Sequence, residues 1–93
     1  MGQYVQNVNT EYATLLLEVW TMGNMRDVRK KKRFSLVYVQ MQTGIDHSLL
    51  SKYERGERMP TVENLLLLAS LYNTSMDFLM DRTDTTEPYP EKV

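Results

Sequence analysis

Asp46, His47 and Ser48 stand in a row within GIDHSLLSKYERGERMP, residues 44–60, and between them supply the three side-chain types of a hydrolytic triad. Their spacing rules that chemistry out. The segment reads as a helix, on which consecutive residues point about 100° apart. A nucleophile, its base and the group that orients the base must instead converge within hydrogen-bond reach. His47 is the single histidine of the chain and cysteine is absent, so neither a second base site nor a zinc cluster can be assembled. No glycine-rich phosphate loop is present. The expectation is a chain with no catalytic residue, no metal and no cofactor.

The same stretch offers a surface instead. On a helical wheel, Leu49, Leu50 and Tyr53 share one arc, with Glu54 at its margin. The other arc carries His47, Ser48, Ser51, Lys52 and Arg55: hydroxyls, hydrogen-bond donors and positive charge, without an acid. A merely solvated face usually mixes both signs, whereas a face that meets phosphates avoids carboxylates.

The elements that must position this face are legible as short helices with caps between them. Asn9 or Thr10 is placed to cap a helix over 10–22, ended by Gly23. Asn24 is placed to cap the next, with Asp27 as its reciprocal partner; that helix carries Met25, Val28 and a basic run to about Lys32. Ser35 caps a third, LVYVQMQT, closed by Gly44. Asp46 caps the fourth, which Gly56 ends in the left-handed conformation that suits glycine. Pro60 and Thr61 restart the chain into the apolar helix VENLLLLASLY, and Ser75 caps a last short one, MDFLM. Residues 83–93 read as a flexible tail. Helices 35–43 and 46–55, joined by a glycine turn, have the spacing of a helix-turn-helix.

Charge sharpens the picture. The net charge of the 93 residues is −1, but residues 26–58 hold nine Lys or Arg against four acids, and the remainder is acidic. A basic middle is the electrostatic footprint of a phosphate-backbone binder. For RKKKR, residues 29–33, a solvated helix end favoured by the helix dipole is an equal alternative. The length allows one small domain. No apolar run reaches the 18 residues of a membrane span, and the N-terminus has neither a basic flank nor an apolar core of a signal peptide. A cytoplasmic protein associated with the nucleoid, with no membrane partner, is expected.

The stretch FSLVYVQMQTGIDHSLLSKYERGERMPTVENLLLLASLYNTSMDFL resembles the helix-turn-helix domain of phage repressors and Cro proteins, the XRE-like regulators. Its most specific part is SKYERGERMPTVENLLLLA, with an acid, a glycine, a basic residue and a proline between the recognition helix and the fourth helix of the domain. The resemblance implies an all-α, five-helix repressor-like helix-turn-helix domain over 24–82, with an additional N-terminal helix within an extension, 1–23, and the tail at 83–93. It implies a transcriptional regulator of double-stranded DNA, acting as a homodimeric repressor on a palindromic operator, with no small-molecule ligand. An antitoxin or adaptor that uses the fold to bind another protein is the alternative. Carried over by position, His47, Ser48 and Lys52, with Ser51 on the same face, sit where base edges are read. Ser35, Lys31, Lys32, Arg33, Arg55 and Arg58 are the candidates for backbone contacts. Arg29 and Glu54 fall where an ion pair ties the first helix to the recognition helix, against which stands a surface pair contributing at most about 1 kcal/mol. Leu36 replaces a usual glutamine, and Gln40 stands where a small residue is usual.

The chain also has more apolar surface than this domain needs. The helix expected over 10–22 is apolar around most of its circumference, including Leu16 and Trp20. Val37, Tyr38 and Met41 form a second apolar stripe on the third helix, and Leu67 and Leu71 do the same further on. These seven residues are candidates for a dimer interface, the alternative being an intramolecular lid over the domain.

Overall fold

The computed structural model describes residues 22–90. The helix expected over 10–22, with Leu16 and Trp20, therefore lies almost wholly outside the described residues. Within them the chain forms five α-helices and no strand: α1 Gly23–Lys31, α2 Leu36–Thr43, α3 His47–Glu54, α4 Val62–Tyr72 and α5 Met76–Leu79. None is long and apolar enough to cross a membrane.

Helices this short leave a large share of their backbone groups without an intrahelical partner, and local sequence supplies most of the substitutes. The Ser35 hydroxyl accepts from the Tyr38 amide at 3.0 Å, Asp46 from Ser48 at 3.0 Å, Thr61 from Asn64 at 3.1 Å and Ser75 from Phe78 at 3.0 Å. Gly44, at φ 81°, closes α2. After α3 the chain turns left-handed at Gly56, φ 76°, where the Glu57 amide donates to the Lys52 carbonyl at 2.8 Å and the Gly56 amide to Tyr53 at 3.0 Å. This paired closure recurs after α1 at Arg33 (φ 62°), after α4 at Asn73 (φ 56°) and after α5 at Asp81 (φ 62°), without a glycine.

The start of α1 departs from expectation. Asn24 does not cap it with Asp27, and Gly23, expected to end a preceding helix, is its first residue. The cap comes from the far end of the domain: the Asp81 carboxylate accepts from the Gly23 amide at 3.0 Å and the Asn24 amide at 2.9 Å. The Asn24 side chain instead donates to the carbonyls of Phe78 (2.9 Å) and Thr83 (3.3 Å). A carboxylate at a helix N-terminus meets both free amides and the positive end of the dipole, and so displaces the weaker local cap. Residues 83–90, within the stretch 83–93 read as a flexible tail, follow an irregular path held at Thr83, whose carbonyl accepts from Asn24, and at Thr86, whose carbonyl accepts from the Thr74 hydroxyl at 2.6 Å.

The core gathers one face from every helix: Met25 and Val28 from α1, Val39 from α2, Leu50 and Tyr53 from α3, Leu65, Leu68 and Tyr72 from α4, and Phe78 and Leu79 from α5, with Ile45 from the turn. Tyr53 also ties α3 to α4 by accepting from the Asn64 side chain at 2.8 Å. Leu71, expected among exposed leucines, leans against the core instead.

Arg29 and Glu54 join α1 to α3 through two parallel contacts, Nε to Oε2 at 2.7 Å and Nη2 to Oε1 at 3.0 Å; Arg29 Nη1 donates to the Phe34 carbonyl at 2.9 Å. The side chains are only 11 % and 6 % exposed, so this is no surface pair. The hydrogen bond to Glu54 drives the Arg29 guanidinium further into its charged range. Burial first, and the Glu54 charge second, push the neighbouring Tyr72 phenol far above its ordinary value.

Two outcomes follow from this wiring. Asp81→Ala should lower stability by about 1–2 kcal/mol in urea unfolding, the effect of losing a good N-cap; a variant as stable as the parent would mean that water caps α1 equally well. Glu54→Ala should cost about 3–5 kcal/mol because it strands a buried guanidinium. The double replacement Arg29→Met with Glu54→Leu should cost less than Glu54→Ala alone, and a larger loss would show that the pair does more than satisfy its own charges.

Candidate nucleic-acid interface

The turn into α3 and its first amides are held by three side chains acting together. Asp46 Oδ2 accepts from the Ser48 amide and from the Ser48 hydroxyl, and the latter contact is the main cause that holds the Asp46 carboxyl below the usual carboxylate range. Gln40, reaching across from α2, places its side-chain oxygen 2.8 Å from the His47 amide and 2.8 Å from the His47 ring Nδ1. Thr43 completes the turn: its hydroxyl donates to the Val39 carbonyl at 2.8 Å and accepts from the Ile45 amide at 3.1 Å. The outcome is a rigid corner from which His47, Ser48 and Lys52 project into solvent, with Ser51 half-buried beside them.

The apolar arc of the same helix explains why that face points outward. Leu50 and Tyr53 are buried, Leu49 packs at the edge of the core, and Glu54 is clamped to Arg29. Rotating α3 about its axis would bring a charge or a hydroxyl into the core, which opposes any such slip.

Arg55 is also exposed, but it is not free. Its guanidinium meets Glu57 through two contacts, Nε to Oε2 at 2.7 Å and Nη2 to Oε1 at 3.1 Å, and Nη1 donates to the Ser51 hydroxyl. Both members of the Arg55–Glu57 pair are half exposed. The pair draws the Glu57 carboxyl down from its ordinary value through the Arg55 hydrogen bond. An incoming phosphate must compete with Glu57, an acid that lies just beyond the helix and so escapes a wheel drawn for α3 alone.

The basic residues do not form one patch. Arg26, Arg29, Ser51, Glu54, Arg55 and Leu36 line a hollow of about 170 Å³ where α1, α2 and α3 meet. Lys31 and Lys32 line a different one, of about 330 Å³, with Val28, Tyr72, Asn73, Thr74 and Thr86. Arg26 and Lys31, five residues apart, lie about 140° apart around the helix axis. Arg33 and Arg58 are exposed on the turns that follow α1 and α3. Ser35, expected to face a phosphate, accepts from the Tyr38 amide through its hydroxyl oxygen, which leaves its O–H to donate.

Two residues of this corner escaped the sequence reading as functional. Arg26 belongs with Arg55, and its place three residues before Arg29 on one side of α1 was the available signal. Gln40 looked like a misfit at a helix crossing; nothing local foretells that it spans to His47, seven residues on. Among the described residues no group of histidine and acidic side chains is arranged to hold a metal ion.

The apolar candidates on α2 are exposed: Val37 at 55 % and Met41 at 75 %. Tyr38 is partly covered by the Phe34 ring, 4.6 Å away between centroids. On α4, Leu67 is exposed, and so are Val62 and Leu66, one turn apart, with Met59 just before them.

Comparison with known proteins agrees with this architecture. A helix-turn-helix family model matches residues 25–79. The HTH-type transcriptional regulator AnsR of Bacillus subtilis is 35 % identical over 72 residues, which are 77 % of this chain and 62 % of AnsR. The cryptic phage CTXphi transcriptional repressor RstR of Vibrio cholerae is 39 % identical over 64 residues, 67 % of this chain and 57 % of RstR. This chain thus spans about three fifths of the length of these regulators. Among solved structures, the restriction-modification controller protein C.AhdI of Aeromonas hydrophila is 28 % identical with a TM-score of 0.60, covering 66 % of this chain and 92 % of that one. Since the matched span runs through the residues that build α1 to α5, this chain belongs to the helix-turn-helix family of phage-repressor and Cro-type regulators.

Proposed function

We propose that this protein is a sequence-specific binder of double-stranded DNA that represses transcription as a homodimer on a palindromic operator, in the cytoplasm and on the nucleoid. The observation that carries the reading is the outward face of α3, where His47, Ser48 and Lys52 project from a corner fixed by Asp46 and Gln40. α3 lies in the major groove with its N-terminal residues toward base edges, and α2 crosses the backbone. Arg26 and Arg55 take phosphates on the side where α1, α2 and α3 meet, Arg55 exchanging Glu57 for the DNA. Lys31 and Lys32, which line the other hollow, contribute less, as do Arg33 and Arg58 on the turns that follow α1 and α3. The names of AnsR and RstR, a transcriptional regulator and a transcriptional repressor, support the assignment.

The dimer draws on the exposed apolar residues Val37, Tyr38 and Met41 of α2, or on Leu67 with Val62 and Leu66 of α4, together with the segment that holds Leu16 and Trp20. The same surplus favours a second reading, an antitoxin or adaptor whose exposed apolar face takes another protein.

Selection of duplexes from a random pool decides between the readings. A regulator should enrich two inverted half-sites whose centres lie about 34 Å apart; an adaptor that has left DNA should enrich nothing. Neutralising Arg26 and Arg55 together should lower the log–log salt slope by about 1.8, at about 0.9 for each phosphate that no longer has a cation, whereas neutralising Lys31 and Lys32 should change it less. The reverse order would place the backbone track on the other side of α1. Lys52→Ala should cost about 1–3 kcal/mol at a single base position, because the ammonium no longer donates to guanine O6 and N7. Equal weakening on every sequence would make Lys52 a phosphate contact.

A further inference from the structure

The Gln40 side-chain oxygen lies 2.8 Å from the His47 amide and 2.8 Å from the ring Nδ1. The amide can only donate, so the atom of Gln40 that faces it must be the acceptor oxygen rather than the NH₂. That oxygen has nothing to donate, so the ring atom beside it must carry the proton. In the neutral ring the proton then sits on Nδ1, and the outward Nε2 bears a lone pair. Ser48 is committed in the same sense: its hydroxyl donates back to Asp46, which leaves its oxygen lone pairs facing out.

We propose that Gln40 is a positioning residue that locks His47 in the Nδ1–H form, so that the first turn of α3 presents acceptors and reads hydrogen-bond donors on the bases. The inference rests on the DNA-binding reading above. In the major groove the donors are the N4 amino group of cytosine and the N6 amino group of adenine; guanine and thymine offer only acceptors there. α3 is therefore divided along its length. Its N-terminal turn selects an amino-bearing base, and Lys52, one turn on, donates to guanine. Gln40 touches no base in this scheme. It sets which atom of His47 is a donor and which an acceptor, which a residue that only packs between α2 and α3 would not do.

His47 is the only histidine of the sequence, so its ring nitrogens can be followed in the whole protein without assignment ambiguity. Nitrogen NMR on the alkaline plateau of the ring titration should show the Nδ1–H form in the parent and in Gln40→Glu, which keeps an acceptor oxygen. In Gln40→Ala the Nε2–H form should grow at its expense. A parent protein mainly in the Nε2–H form, or no change in Gln40→Ala, overturns the proposal without any DNA being present. The base contact is tested on a duplex taken from the random-pool selection, at the position whose preference His47→Ala removes. There N4-methylcytosine or N6-methyladenine, which pairs normally but lacks the groove-facing hydrogen, should weaken the parent at least about fivefold, the lower end of a good base contact. It should weaken Gln40→Ala less than the parent and leave His47→Ala unaffected. If 7-deazaguanine at that position weakens binding instead, His47 is a donor and the proposal falls. A locked Nδ1–H ring in a protein that binds no duplex would leave the role of Gln40 in place and overturn both the DNA reading and the base contact built on it.

Discussion

Short helices have more end than middle, and in this domain that arithmetic governs nearly everything else. α2 and α3 have eight residues each and α5 has four. Four amides and four carbonyls at the ends of each helix have no intrahelical partner, so a helix of eight residues depends on what meets its termini. The domain answers with side-chain caps at Ser35, Asp46, Thr61 and Ser75, and with left-handed closures after α1, α3, α4 and α5. Where no local side chain serves, Asp81 is brought across the fold to the start of α1. The apolar core then has helices to pack.

That constraint reaches the candidate interface directly. The groups that cap α3 are the same groups that decide what its exposed turn presents. Asp46 takes the Ser48 amide and hydroxyl, and Gln40 takes the His47 amide and faces the ring nitrogen. Capping and presentation are thus one network, and a change made to stabilise the corner also changes which hydrogens point outward. The buried Arg29–Glu54 pair acts on a larger scale. It spans α1 and α3 through a two-point contact whose planar geometry admits little rotation, and it keeps the polar face of α3 turned from the core.

Electrostatics divide along the same lines. The net charge of −1 conceals a basic middle, and the fold splits that middle between two hollows, with Arg26 and Arg55 on one and Lys31 and Lys32 on the other. A sequence run of like charges on a helix is spread around its circumference, so adjacency in sequence is a poor guide to adjacency in space. The exposed apolar residues follow a similar logic. Val37 and Met41 are i and i+4 on α2, and Val62 and Leu66 are i and i+4 on α4, so each pair makes a continuous stripe rather than scattered exposure.

The sequence by itself determined whatever depends on neighbours within one turn. Ser35, Asp46, Thr61 and Ser75 reach amides two or three residues away, and Gly44 and Gly56 adopt positive φ that glycine accepts without cost. The starts of α2 to α5 and the buried face of α3 were therefore legible from caps and period. The pairing of Arg29 with Glu54 came from resemblance of position, and only the fold revealed that it is buried. Tertiary structure alone decided the cap of α1, the separation of Lys31 and Lys32 from Arg55, and the reach of Gln40 to His47; the left-handed turns at Arg33 and Asp81 are closed locally, but no glycine signals them. Each of the first three depends on how one helix crosses or follows another. A cap signal fixes a conformation because its donor and acceptor are tethered by two or three residues. Asp81 reaches Asn24 over a separation of 57 residues, and packing had to bring them together first.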